Sequence, residues 1–99
     1  MHLNILRILS NMEPWVKVVT SSQIRSARGA LGWSASLLAE RAGLSLRTIQ
    51  TGESDGGETK IRKSSLLALV SVLEDAGIEF IGTPDDGPGI RIHVPKRSV

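Results

Sequence analysis

Along residues 20–76 the apolar positions recur at helical spacing, and each recurrence is bracketed by residues that start or stop helices. Thr20-Ser-Ser-Gln23 has the form of a capping box, in which the threonine hydroxyl accepts from the Gln23 backbone N–H while the glutamine side chain reaches back. Ile24, Ala27 and Leu31 then share one face, with Arg25 and Arg28 at its side, and Gly32 is placed to end the helix in the left-handed region. Ser34 predicts the N-cap of a second helix, with Leu38, Ala39 and Ala42 inward and Gly43 as its stop. Ser45 caps a third, which runs through Leu46-Arg-Thr-Ile49 to about Gly52. A loop without an apolar anchor, residues 54–60, separates it from a fourth helix over roughly Ser64 to Ala76. That helix turns Leu66, Leu69, Val70, Leu73 and Ala76 inward and is stopped by Gly77.

Beyond Gly77 the period drops to two. Ile78-Glu-Phe-Ile81 and Ile90-Arg-Ile-His-Val94 alternate, and the turn-rich stretch Thr83–Gly89 joins them as a β-hairpin. The first residues read differently: His2 to Leu9 is apolar but short, Pro14 breaks any regular pattern after it, and Val16, Val18 and Val19 suit a short strand. The expected organisation is mainly α, with an appendage at 1–19, a helical domain at 20–76, a hairpin at 77–94 and a tail at 95–99. Because the first capping box opens at Thr20, residues 1–19 are expected to be dispensable for folding.

Composition narrows the chemistry. Ninety-nine residues suit one domain with a small core. The absence of cysteine excludes disulfides, thiolate metal sites and cysteine nucleophiles, and the only histidines, His2 and His93, lie at opposite ends. No metal and no cofactor are expected. Trp15, Trp33 and Phe80 are too few aromatics for a single-strand stacking platform. The longest apolar run, Leu66 to Val70, falls far short of the ~20 residues that span a bilayer. Arg7 interrupts the N-terminal apolar stretch and no small-residue cleavage site is present, which predicts a cytoplasmic chain rather than a secreted or membrane one.

Enzyme signatures fail in the same way. Gly32-Trp-Ser-Ala-Ser36 begins like a nucleophile elbow but ends in serine and has no preceding strand. The Asp55-Gly56-Gly57 and Asp85-Asp86-Gly87 segments lack the ligand count of a calcium loop and read as turns. Net charge is +2, yet residues 1–50 hold six basic and two acidic side chains while residues 51–99 hold six and eight. Such a split suits a basic front that meets phosphate, although scattered surface charge gives the same totals.

Ala35 to Ser54 has the layout of a helix-turn-helix. That motif needs a small residue where two helices cross, a turn residue tolerating positive φ and an apolar anchor on the second helix; Ala39, Gly43 and Ile49 meet these needs at spacings of four and six. At about 100° per residue, Arg47, Gln50 and Thr51 share an arc facing away from Ile49. Arg47 suits either bidentate donation to guanine or a phosphate contact, Gln50 suits adenine, and Thr51 suits a thymine methyl or a phosphate. Ser34, Ser36 and Ser45 stand at helix starts, where capping and phosphate binding are compatible roles, and Arg28 and Arg41 flank them as either backbone contacts or solvated charges.

With Gln23-Ile-Arg-Ser-Ala-Arg, Leu38-Ala-Glu-Arg-Ala-Gly43, Leu44-Ser-Leu-Arg-Thr-Ile-Gln50, Glu53 and Leu73-Glu-Asp-Ala-Gly-Ile-Glu-Phe80, the chain resembles the Cro/repressor-type (XRE-like) family of DNA-binding domains. The likeness covers about Thr20 to Val94 and fits a short bacterial branch in which a Gly-Pro-Gly hairpin comes after the fourth helix. It implies a four-helix, lambda-repressor-like fold whose third helix enters the major groove of double-stranded DNA while the second crosses the backbone. It further implies base contacts from Leu46, Arg47, Gln50 and Thr51, and backbone contacts from Ser34, Ser36, Arg41, Ser45 and Thr48. The implied function is sequence-specific DNA binding by a small transcriptional regulator, a repressor. The alternative is an antitoxin-like module that binds a protein partner and touches DNA secondarily. Two positions depart from the pattern: Ala35 replaces a frequent glutamine and removes a buttress of base recognition, and Gly52 replaces a large aliphatic residue and predicts a short third helix.

Ile78, Phe80, Ile90 and Ile92 give the hairpin more apolar surface than a small core easily covers. A homodimer joined through this hairpin is expected, against the simpler possibility that it packs on the fourth helix of its own chain.

Overall fold

The computed structural model describes residues 19–93. Four helices, α1 (Ser21–Leu31), α2 (Ala35–Ala42), α3 (Leu46–Glu53) and α4 (Lys63–Asp75), precede an antiparallel hairpin of β1 (Ile78–Thr83) and β2 (Asp86–Ile92). A short 3-10 turn, Gly57–Thr59, lies between α3 and α4.

The helix ends form where the caps predict them. Gln23 N–H donates to Thr20 Oγ1 at 3.2 Å, and Thr20 N–H donates to Gln23 Oε1 at 2.9 Å, closing the capping box. Ser34 Oγ accepts from Leu37 N–H at 3.0 Å, and Ser45 Oγ accepts from Thr48 N–H at 3.1 Å. Gly32 and Gly43 both sit at φ 70°, so each turns the chain where a side chain would be strained.

The core gathers Ile24 and Ala27 of α1, Leu38 and Ala39 of α2, Ile49 of α3, and Leu69, Val70 and Leu73 of α4. Leu31, Ala42 and Leu66 are partly buried against it. Two expectations are corrected by this packing. Val19 is only 1 % exposed and belongs to the core, so the appendage cannot be removed up to Thr20 without losing a core side chain. Of the expected strand at Val16, Val18 and Val19, the first two positions lie outside the described residues, and Val19 is in no strand.

The second correction concerns the hairpin. Ile78 and Phe80 are 2 % and 7 % exposed, packed into the same core as the helices, and Ile90 is half-buried against it. β1 packs on α4 and β2 on α1, so the apolar face expected to join two copies is closed within one chain, and only Ile92 remains open. Strand pairing also runs further than the sequence suggests. Thr83 faces Asp86, with a register irregularity between Ile81 and Thr83, so the turn narrows to Pro84-Asp85 instead of spanning Thr83–Gly89. Gln23 ties this hairpin down: buried at the start of α1, its Nε2 donates to Ile81 O at 3.0 Å and Gly89 O at 2.8 Å. One side chain thus both caps a helix and satisfies two strand carbonyls.

Candidate nucleic-acid interface

α2 and α3 are joined by a short turn, and the three residues with special steric roles take them. Ala39 is 5 % exposed and packed in the core, Gly43 adopts the left-handed turn conformation, and Ile49 is fully buried. With Ile49 inward, helical periodicity turns Leu46, Arg47 and Gln50 to solvent, while Thr48 and Thr51 are half-buried at the margin. Ser34, Ser36, Arg41 and Ser45 are exposed on or beside α2 and at the start of α3. Thr48 Oγ1 is held 2.9 Å from Ser45 Oγ, and the Arg41 guanidinium lies 4.8 Å from the centroid of Trp33, a cation–π arrangement.

Next to α3 lies an open groove of about 410 Å³, bordered by Arg47, Thr48 and Thr51 on one side and by Lys60, Arg62 and Ser65 on the other. Helical periodicity does not reveal the far side. Its signal in the sequence is the basic run Lys60-Ile-Arg-Lys63, which comes directly after a loop whose acids lie at Asp55 and Glu58. Ile61, between those cations, reaches toward α3. A Cβ at Gly52 would stand 3.2 Å from Ile61 Cδ1, so the glycine departure in α3 is matched by an isoleucine supplied from the loop.

Six of the eight lysines and arginines among the described residues fall into two groups. Arg28 Nε and Nη2 donate to the two Glu53 oxygens at 2.7 and 2.8 Å, and its Nη1 donates to Trp33 O at 2.9 Å. The hydrogen bond to Glu53 raises the Arg28 pKa, partly opposed by desolvation. Arg28 is therefore a structural residue that joins α1, the α1–α2 turn and α3, rather than a backbone contact. Arg25 pairs with Asp55 and donates to Glu53 O, and Arg91 pairs with Glu79. Arg47, Lys60 and Arg62 have no carboxylate partner among the described residues. The first group is engaged within the protein, Arg28 most deeply, and the second is open to an external anion.

No group of side chains suited to a metal ion occurs among the described residues, and no described helix is long and apolar enough to cross a membrane. No protein-family model matches this chain, and no curated protein matches it.

Proposed function

We propose that this chain binds double-stranded DNA sequence-specifically as a small transcriptional regulator, a repressor of the Cro/repressor type, with α3 in the major groove and α2 across the backbone. The observation that carries the reading is the groove beside α3, where three cations without carboxylate partners among the described residues border the exposed polar side of a helix anchored by Ile49. DNA rewards such an arrangement, because each neutralised phosphate releases counterions while the helix edge meets the bases. Leu46, Arg47, Gln50 and Thr51 are the helix residues nearest the bases in this reading. Ser34, Ser36, Arg41, Ser45 and Thr48 approach the backbone from the starts and flank of the two helices.

Two copies on a two-fold operator belong to the same proposal, with half-sites about 10 bp apart or a multiple of that. With Ile78 and Phe80 buried, their contact rests on Ile92, 55 % exposed, and on the outer edge of β2. Light scattering at tens of micromolar protein checks this, and a monomer removes it.

Selection of binding sites from random duplex DNA tests the main reading, with mobility shift then measured on the enriched sequence. One enriched motif and a discrete shifted band are expected. No enrichment and no shift at low salt overturns DNA recognition. A shift that requires the product of a neighbouring gene favours the antitoxin-like alternative.

A further inference from the structure

The exposed side of α3 carries two stripes with different surroundings. Leu46 and Gln50, four residues apart and therefore in line along the helix, are exposed and do not border the groove. Arg47 and Thr51, also four apart, do border it and face Lys60 and Arg62. What brings the two walls together is Ile61, whose side chain occupies the space left by the absent Gly52 side chain. Ile61 stands directly between Lys60 and Arg62 in sequence, so seating it beside α3 delivers a cation on either side of it to the groove that Arg47 borders.

Three positive groups around one concavity repel each other, and among the described residues no carboxylate borders that concavity to offset them. An anion placed between them relieves the repulsion, and a guanidinium meets phosphate oxygens in bidentate fashion. The groove is open and measures about 410 Å³, many times the ~30 Å³ occupied by one water. That shape suits a phosphate on a continuing strand better than an enclosed ion.

We propose that Arg47, Lys60 and Arg62 act together as a clamp on one phosphodiester group of a DNA backbone, with Ile61 in the Gly52 notch as the residue that positions it. This inference rests on the DNA-binding reading and assigns Arg47 to phosphate rather than to guanine. Base readout then falls to the other stripe, Leu46 and Gln50.

The test uses the full chain and two duplexes of equal length, one bearing the selected motif and one unrelated, with binding monitored by anisotropy over a salt series. Arg47→Ala is expected to weaken binding to both duplexes by a similar factor, about tenfold, and to lower the salt slope by about one. A loss confined to the selected duplex, with the slope unchanged, overturns the clamp and returns Arg47 to base reading while DNA binding stands. Unchanged binding to both duplexes overturns the placement of α3 on DNA altogether.

Ile61→Ala keeps every charge, yet it is expected to lower the salt slope as well, because the cations are no longer held together. Ile61→Leu is expected to restore it. Binding is read well below each variant's thermal midpoint, so that an unchanged slope in Ile61→Ala overturns the positioning role without ambiguity from unfolding. Titration with inorganic phosphate, monitored by amide and side-chain NMR signals of the three cations, is expected to give no saturation at millimolar concentration. Saturation there would overturn the backbone assignment in favour of a free anion site.

Discussion

The α1 flank and the α3–α4 groove both carry arginines, but they use them in opposite ways. Arg28 is three-quarters buried by its neighbours, and its guanidinium satisfies both oxygens of a Glu53 that is itself almost fully buried. Arg47 and Arg62 are exposed and border open space. A charge removed from water must be paired in place, whereas a charge left in water without a partner contributes little to folding and keeps its capacity for a ligand. Partner geometry therefore separates stabilising cations from recognition cations where composition cannot. Both groups contribute equally to a net charge of +2.

The largest expected effect comes from breaking the buried side of this contrast. Arg28→Ala leaves a buried carboxylate unpaired, and Glu53→Gln weakens the same fork, so each is expected to lower stability by about 2–4 kcal/mol. Denaturant unfolding checks this. A double variant less destabilised than the two single losses combined would show that the side chains act as a pair. A loss below about 0.5 kcal/mol in both single variants, the range of ordinary surface changes, would erase the distinction between the two groups.

Arg62→Ala is the counterpart in the groove. Stability is expected to stay within about 0.5 kcal/mol of the parent, while DNA affinity falls. Arg91→Ala and Arg25→Ala lie between the extremes. Both ion pairs are largely exposed, so less than about 1 kcal/mol of stability is expected from either. DNA affinity for a single half-site should not change for Arg91→Ala, since that residue is paired with Glu79 on the hairpin and does not border the groove. A fall in affinity as large as that of Arg62→Ala would show that unpaired geometry is not what marks the interface.

The contrast also explains which parts of the molecule are legible in the sequence. Helix starts and stops depend on residues next to each other in the chain, so Thr20, Ser34, Ser45, Gly32 and Gly43 announce themselves. Ile49 and Ala39 come from helical period alone. Contacts between distant residues leave no such trace. Arg28 meets Glu53 across 25 positions, Gln23 reaches Ile81 and Gly89 across 58 and 66, and Ile61 fills a notch nine residues back in α3. The hairpin departs from expectation for the same reason: period-two apolar residues reveal a buried face but not whether the covering surface belongs to the same chain. Val19 suits a strand by pattern yet serves as a single core residue beside a cap, a role with no periodicity of its own.

A smaller effect tests the notch. Gly52→Ala gains helix propensity of about 1 kcal/mol, and its Cβ must push the flexible Ile61 tip outward by a few tenths of an ångström. The two terms nearly offset, so unfolding should shift little. DNA affinity is the more sensitive readout, because displacement of Ile61 moves its two cationic neighbours relative to Arg47. A variant unchanged in both measurements would show that the loop tolerates rearrangement and that its present seat is incidental.

The smallest expected effect lies on the hairpin's outer face. Glu79 Oε1 lies 2.7 Å from His93 Nε2 and 3.2 Å from Arg91 Nη1. Its carboxyl is held below the ordinary glutamate value, chiefly by the hydrogen bond with His93, which desolvation partly opposes and the charge of Arg91 reinforces. Since the folded state binds this proton less readily than the unfolded state, the contribution to stability is complete above the ordinary glutamate value of about 4.3. It is lost as pH falls through the lower folded value. Glu79→Gln removes that titration, so the acid limb of the stability profile should be shallower in the variant below about pH 5. The difference should shrink with added salt, as expected for exposed charges. Parallel acid limbs would show that these three side chains are neighbours without being coupled. Binding to a single half-site near neutral pH should be the same for both proteins, because this cluster belongs to the paired group and shares no residue with the groove.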